Sequence, residues 1–358
     1  MYSLVFRGSL TAVTPLVVTP PGTAWKSDDK VGRLPKLGYT VNAPRYIPAS
    51  TLRHVIRHGI TQIVVESLRR QGKSIPLKAL LALDKGFLQQ QKKANAPRKR
   101  KGDSAHTKED TQETQETQET QENETTKKAS PKLNNEQKAI KHLRMLNALR
   151  EKNPFLSLLG IWKVPSTLRV LNAIPQAGDV DGHYAISPGV VRKELELSLV
   201  EGLSETDLQG YTDLLDLSSQ KDKEVTGLKH MTEHGWEEII PGVALSWGLQ
   251  IDRPTLLQTG AVLAALRVFA VDPVIGAHKA IGRGEVSLYL HAETVEYDER
   301  FVPTTQPCGD VTVSRGTFAV QGDRLLEALE VFDQQAALGF PNLDLSVTPD
   351  EELLEGSA

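Results

Sequence analysis

An α+β fold with a ferredoxin-like order, strand–helix–strand at each end of the chain and insertions between, is predicted by three observations. Residues 2–6 and 10–18 mix β-branched and apolar side chains in the manner of extended chain. The strongest helical periodicity follows them, with Leu52, Val55, Ile56, Ile60, Ile63, Val64 and Leu68 on one face. The same order then returns near the other end, as a strand over 243–251, a helix over 254–271 and a strand over 285–291.

Val5, Leu10, Val13, Leu16, Val17 and Val18 carry the first strand signals, and Pro15 and Pro20 bound the second stretch. A polar, glycine-bearing loop runs from Gly22 to Arg45, after which Ser50 or Thr51 is the expected N-cap of the first helix. Residues 91–135 hold a basic cluster and four copies of Thr-Gln-Glu between Thr111 and Glu122, with nothing apolar to bury, and read as a disordered insertion. A second amphipathic helix is expected over 134–151, stopped by Asn153-Pro154. Strand-like arms at 168–175 and 184–199 around a turn-rich centre predict a β-hairpin, and a glycine-bearing loop, Gly276 to Gly284, leads into the last strand.

The chain has 358 residues, 39% hydrophobic and 24% charged, an ordinary globular balance. A single cysteine, Cys308, makes no internal disulfide, and no run of 18 apolar residues occurs. Arg7 and Gly8 interrupt the apolar N-terminal stretch, so no signal peptide is expected. These features argue against a secreted disulfide scaffold and a membrane protein, leaving a cytoplasmic location as the expectation. Net charge is −3, but residues 1–101 hold 19 basic and 4 acidic residues, a balance of +15, while the other 257 hold 23 basic and 41 acidic, a balance of −18. That polarity predicts a basic face for a polyanion, nucleic acid first, and an acidic surface for solubility or for a basic neighbour.

The residues at the first helix supply the chemistry for such a partner. A helix N-terminus offers unsatisfied N–H groups, and Ser50, Thr51, Arg53 and Arg57 add hydroxyl and guanidinium donors that would hold a phosphate without reading a base. An N-capped surface helix with solvated arginines is the plainer alternative. In the preceding loop Lys26, Lys30, Arg33, Lys36 and Arg45 accompany Trp25 and Tyr39, a mixture suited to a single strand whose phosphates are neutralised while its bases stack. Lys279 and Arg283 stand in the glycine loop, where the missing Cβ would let backbone approach a phosphate; a tight connection between helix and strand is the alternative. That loop is not a Walker motif, because Gly276 and Gly282 are six apart and Arg283-Gly284 stands where Lys-Ser/Thr belongs.

Residues 46–53, Tyr-Ile-Pro-Ala-Ser-Thr-Leu-Arg, resemble the "IPGSSLRG" signature of the RAMP superfamily, the subunits that form the backbone of multi-subunit CRISPR effector complexes. Asn153-Pro154-Phe155 through Leu158-Leu159-Gly160 resembles that family's "LFG" segment, Pro241-Gly242-Val243-Ala244-Leu245 its "PGTxF" strand opening, and Gly276, Gly282 and Gly284 its C-terminal glycine-rich loop. His54 replaces the signature's last glycine and Val243 the threonine, departures that resemble the type IV backbone subunit more than type III. The resemblance implies a modified ferredoxin-like (RRM-like) palm at 1–70 and 241–345, a helical finger insertion at 71–160, a thumb hairpin and connecting segment at 161–240, and an acidic tail at 346–358. It implies a non-enzymatic, cofactor-free, RNA-binding subunit of a prokaryotic antiviral ribonucleoprotein, copies of which stack head to tail along a guide RNA and leave its bases to pair with target DNA. Implied partners are small and large effector subunits, a guide-processing endonuclease and a helicase. In the thumb, Ile174, Pro175 and Tyr184 would form the wedge that flips a nucleotide, and Arg192 and Lys193 would contact phosphates.

Two other classes are weighed beside it. Type III relatives cleave target RNA with an aspartate of the loop equivalent to the one carrying Asp28 and Asp29, which makes a metal-dependent ribonuclease the alternative; flanked by Lys26 and Lys30, these carboxylates also read as salt-bridged surface charges. A general single-strand binding protein is the other. His230-Met231-Thr232-Glu233-His234 matches H-x-x-E-H, but Gly235 and Pro241 cut off the helix that zinc chemistry needs. His54 and His58 lack a named third ligand. No metal site is therefore expected.

Overall fold

The structure is a computed structural model describing residues 2–18, 31–38, 43–86, 151–161, 164–176, 181–187, 235–277, 279, 282–300 and 302–345, with isolated positions within 137–148 and 204–209. Lys26, Asp28, Asp29, Arg192, Lys193, the insertion at 91–135, the H-x-x-E-H segment and the tail at 346–358 lie outside the described residues.

The fold is α+β. Strand β1 (Tyr2–Ala12) is followed by β2 (Val31–Gly32) and helices α1 (Ala49–Arg70), α2 (Leu77–Asp84) and α3 (Pro154–Leu159). Next come β3 (Leu168–Val170), β4 (Ile174–Pro175), β5 (Tyr184–Ser187), β6 (Gly235–Ile239), β7 (Ala244–Asp252) and helix α4 (Leu256–Phe269). Strands β8 (Val286–Tyr297), β9 (Pro303–Ser314) and β10 (Thr317–Gln321) and helix α5 (Asp323–Ala337) complete it. The main sheet runs β10-β9-β8-β1-β7-β3, with β4 also against β7, and a small sheet runs β2-β6-β5. Every described pairing in the main sheet is antiparallel.

Alternation in the strands sets one face of the main sheet against the helices. Leu4, Phe6, Leu10 and Ala12 of β1, Leu245, Trp247, Leu249 and Ile251 of β7, and Val286, Leu288, Leu290 and Ala292 of β8 are all buried. Against them lies the stripe Leu52, Ile56, Ile60, Val64 and Leu68 of α1, as the periodicity predicts. Helix α4 is apolar nearly all round because α1 and α5 cover it on two sides; Gly59 and Gly260 provide the room, since a Cβ at Gly59 would stand 2.9 Å from the Ala265 Cα and one at Gly260 only 2.1 Å from the Ala328 carbonyl. Phe155, Phe332 and Phe340 seal this layer with edge-on or tilted ring contacts 5.2–6.1 Å apart. Among the described residues no helix is long and apolar enough to cross a membrane.

Three expectations are corrected. The first strand is continuous over Tyr2–Ala12, because Arg7 and Gly8 sit between two partner strands whose ladders carry them. Of the hairpin expected over 168–199, the described arms do not pair with each other: β3 and β4 both pair with β7 in the main sheet, whereas β5 pairs with β6 in the small one, and 188–199 lie outside the described residues. Finally, the last expected strand does not stop at 291 but runs to Tyr297 as β8, and β9, β10 and α5 follow it within the span expected for the palm.

Candidate nucleic-acid interface

Pro48, with φ −61 and ψ 139, is the N-cap of α1, so Ser50 and Thr51 fall inside the first turn instead of capping it. No side chain caps the helix from Pro48, no acidic residue occupies the first turn, and the Ala49 amide donates to Asn172 Oδ1 at 2.8 Å. Arg53 and His54 therefore stand near the positive end of a helix macrodipole with no acid on the first turn to offset them, an arrangement that a bound anion would relieve.

A cleft of about 670 Å³ opens there, lined among others by Ser50, Arg53, His54, Arg57, Asp84 and Lys85. Spacing explains who faces it. Arg53 and Arg57 are one turn apart, as are His54 and His58, whose rings stack at 5.8 Å. Asp84 and Lys85 arrive at the end of α2; Asp84 accepts from Lys85 Nζ at 2.8 Å and lies 3.2 Å from His58 Nδ1. Burial pushes the Asp84 carboxyl up, but the hydrogen bonds and charges of Lys85 and His58 outweigh it and hold the group below its ordinary range. Burial lowers His54, Asp84 opposes this, and His58, Lys85 and the exposed Lys279 of the glycine loop lower it further. Lys279 thus adds its charge to the same neighbourhood.

Arg57 does something else. It is buried, and its Nη1 donates to the Ala82 and Leu83 carbonyls at 3.0 and 2.8 Å while its Nη2 donates to those of Leu159 and Gly160, each at 2.7 Å. These are carbonyls at the ends of α2 and α3, which the helices themselves leave unsatisfied. Burial, then the charge of Arg53, pushes the guanidinium down to about 10, so it remains a cation at neutral pH. Arg53 is half-buried and donates to the Leu159 carbonyl. The expected phosphate role of Arg57 gives way to tying two helices to α1.

The other expected contacts divide similarly. Arg45 donates through Nε and Nη2 to Glu237 Oε1 at 2.9 and 2.7 Å, while Glu237 Oε2 accepts from the Leu34 amide. Its guanidinium also lies 5.0 Å from the Tyr184 ring centroid, and the Arg45 amide donates to the Tyr184 hydroxyl. Arg283 pairs with Glu238 and donates to Ser187 Oγ at 2.7 Å. Glu237 and Glu238 are neighbours on β6 and point to opposite faces, so this one strand clamps the loop before α1 on one side and the glycine loop on the other. Gly276 and Gly284 serve close backbone packing, their absent Cβ positions being 2.2 Å from the Val17 carbonyl and 2.1 Å from the Ile275 carbonyl. Ile174 and Pro175 lie half-buried in β4, and Tyr184 is held against Arg45, so the three do not form a hairpin tip. Arg33 and Lys36 are half-buried in the loop before α1. Among the described residues no group of His, Cys, Asp and Glu could hold a metal ion.

Lys85 and His54, absent from the expected phosphate set, thus join Ser50 and Arg53 in lining one opening, and the charges of His58 and Lys279 reach His54 from beside it. No protein-family profile matches the chain, and no curated protein matches it. Among solved structures, a chain of one titled "Type IV-B CRISPR Complex" is similar, at 15% identity and a TM-score of 0.33, over 80% of this chain and 88% of that one.

Proposed function

We propose that this chain is the repeating backbone subunit of a type IV CRISPR ribonucleoprotein, binding guide RNA through its phosphates and performing no chemistry of its own. The observation that carries the reading is the basic cleft at the α1 N-terminus, to which Ser50 and Arg53 of the segment resembling the RAMP signature contribute. Ser50 is exposed in the first turn, Arg53, His54 and Lys85 line the cleft with it, and the charge of Lys279 acts on His54 from nearby, donors and positive charge that grip an anion regardless of base. The strand order supports it too: β8-β1-β7-β3, with helices following β1 and β7, is the arrangement of the ferredoxin-like palm that the resemblance implies.

Purification from cells with the neighbouring genes tests the reading. A discrete short RNA with repeat-derived ends, bound to several copies of the chain, is the expected cargo; heterogeneous nucleic acid on a monomer would mean a general single-strand binder, and metal-dependent cuts at regular spacing would mean a ribonuclease. In direct binding, the double variant Lys85→Gln, Lys279→Gln is expected to lower the salt slope by about 1.4, or two single-strand phosphate contacts. An unchanged slope removes the site.

A further inference from the structure

A second cleft, of about 310 Å³, adjoins the first, and Pro165 and Ser166 line both. Arg253 stands on it in an unusual state. Its φ of 47 is the left-handed conformation that side chains other than glycine seldom adopt, although the following residue is Pro254, which favours extended backbone before it. The strain is held in place by the backbone, since the Arg253 amide donates to the Tyr2 carbonyl at 3.0 Å. The guanidinium gives nothing back to the fold: it is exposed, with no hydrogen-bond or ionic partner among the described residues. Glycine would fill the position at lower steric cost. Arg253 lines this cleft beside the Asp252 carboxylate, which Arg169 already pairs with at 2.9 Å, so the charge of Arg253 is left for a ligand.

The cleft's hydroxyls are complementary in kind. Ser166 Oγ donates its proton to the Leu168 carbonyl at 2.7 Å and keeps lone pairs to accept. Thr255 Oγ1 accepts from the Gln258 amide at 3.2 Å, as N-cap of α4, and keeps its proton to donate. One spare acceptor and one spare donor match a ribose 2′-hydroxyl, which is both and which DNA lacks. A volume near the lower bound of ligand pockets suits a single sugar unit.

Resting on the reading of the chain as an RNA-binding subunit, we infer that this second cleft is a further subsite for the same strand. Arg253 meets a phosphate at its mouth, and Ser166 and Thr255 receive the adjoining 2′-hydroxyl. The strand passes from the α1 cleft over Pro165 and Ser166 to the turn between β7 and α4.

The test uses the full chain, a fluorescein-labelled oligouridylate and its deoxyuridylate counterpart, read by anisotropy across salt concentrations. Arg253→Gly is expected to bind RNA about three- to ten-fold more weakly, with a salt slope lower by about 0.7, while its melting temperature stays level or rises. Ser166→Ala is expected to narrow the preference for RNA over DNA. Arg253→Gly with wild-type affinity and slope overturns the subsite; should it fail to fold, Arg253→Gln is read for the same two quantities. Wild-type affinity in Arg253→Gly beside weakened binding in Lys85→Gln, Lys279→Gln overturns the second cleft alone, whereas a wild-type chain that binds no RNA overturns both readings.

Discussion

Replacing Arg57 by alanine is expected to cost the protein its stability before it costs any affinity for RNA. Four hydrogen bonds, to the carbonyls of Ala82, Leu83, Leu159 and Gly160, are lost at once, and among the described residues only Leu159 keeps a second donor, Arg53. Hydrogen bonds to a charged group contribute about 1.5–3 kcal/mol each, which sums to roughly 6–12 kcal/mol. That sum is too large, because truncation also removes the desolvation and the repulsion from Arg53 that lower the guanidinium's pKa, and the adjoining cleft lets water reach some of the carbonyls. A loss of about 3–5 kcal/mol, as for a buried charge stripped of its partner, is the reasoned value, against a total of about 5–15 kcal/mol for an ordinary domain. Lysine restores the charge but not the planar fork that reaches two helix ends together, so Arg57→Lys should recover less than half of the loss. Urea unfolding measures the total, and hydrogen exchange of peptides covering 77–86 and 154–160 locates it. Unfolding of Arg57→Ala within about 0.5 kcal/mol of wild type, accompanied by weakened RNA binding, would refute the reasoning and return Arg57 to the phosphate track.

Gly260→Ala places a Cβ 2.1 Å from the Ala328 carbonyl and 2.6 Å from the Phe332 Cβ, so α5 must move off α4; a loss of about 1–3 kcal/mol is expected by urea unfolding, and an unchanged midpoint would contradict the packing. Asp84 is held below its ordinary 3.8, so its contribution is complete above about pH 4 and is lost as the pH falls further; Asp84→Asn should flatten that part of the acid limb in unfolding followed against pH. His54 is lowered from 6.5, so the unfolded chain takes up its proton first and stability falls as the pH drops through that value, a component that His54→Gln should remove.

What was legible in the chain beforehand is what local periodicity carries. The α1 stripe from Leu52 to Leu68 repeats at the helical interval, and the strand over Ala244–Asp252 alternates, so both are found without knowing their partners. The α1 cap was not legible, because Pro48 and Ser50 are both acceptable starts and only the backbone decides. The pairing of β3 and β4 with β7 depends on a partner more than seventy residues away, and two nearby strand-like arms invited a hairpin instead. The roles of Glu237 and Glu238 depend on Arg45 and Arg283, 192 and 45 residues away, which no local pattern shows. Arg253 was unreadable for a different reason: the sequence Arg-Pro predicts extended chain, and the left-handed turn arises from the hydrogen bond to Tyr2.

The division of labour among the cations follows from their chemistry. A guanidinium presents donors in a rigid plane, so where a fold offers several carbonyl or carboxylate oxygens on one side, arginine becomes part of the framework, as at Arg57, Arg45 and Arg283. Each of these is spent inward, and because Arg45 and Arg57 are among them the +15 balance of residues 1–101 overstates the charge that faces a ligand. An ammonium on a flexible stem keeps its rotatable donors at the surface. On the proposed reading, Lys85 and Lys279, near a helix start with no acid in its first turn, would follow a phosphate chain from one position to the next without demanding fixed geometry. The arginines brace α3 along with α2 and the glycine loop, the two segments that carry those lysines, so on the proposed reading losing an arginine such as Arg57 would weaken binding only by displacing the lysines.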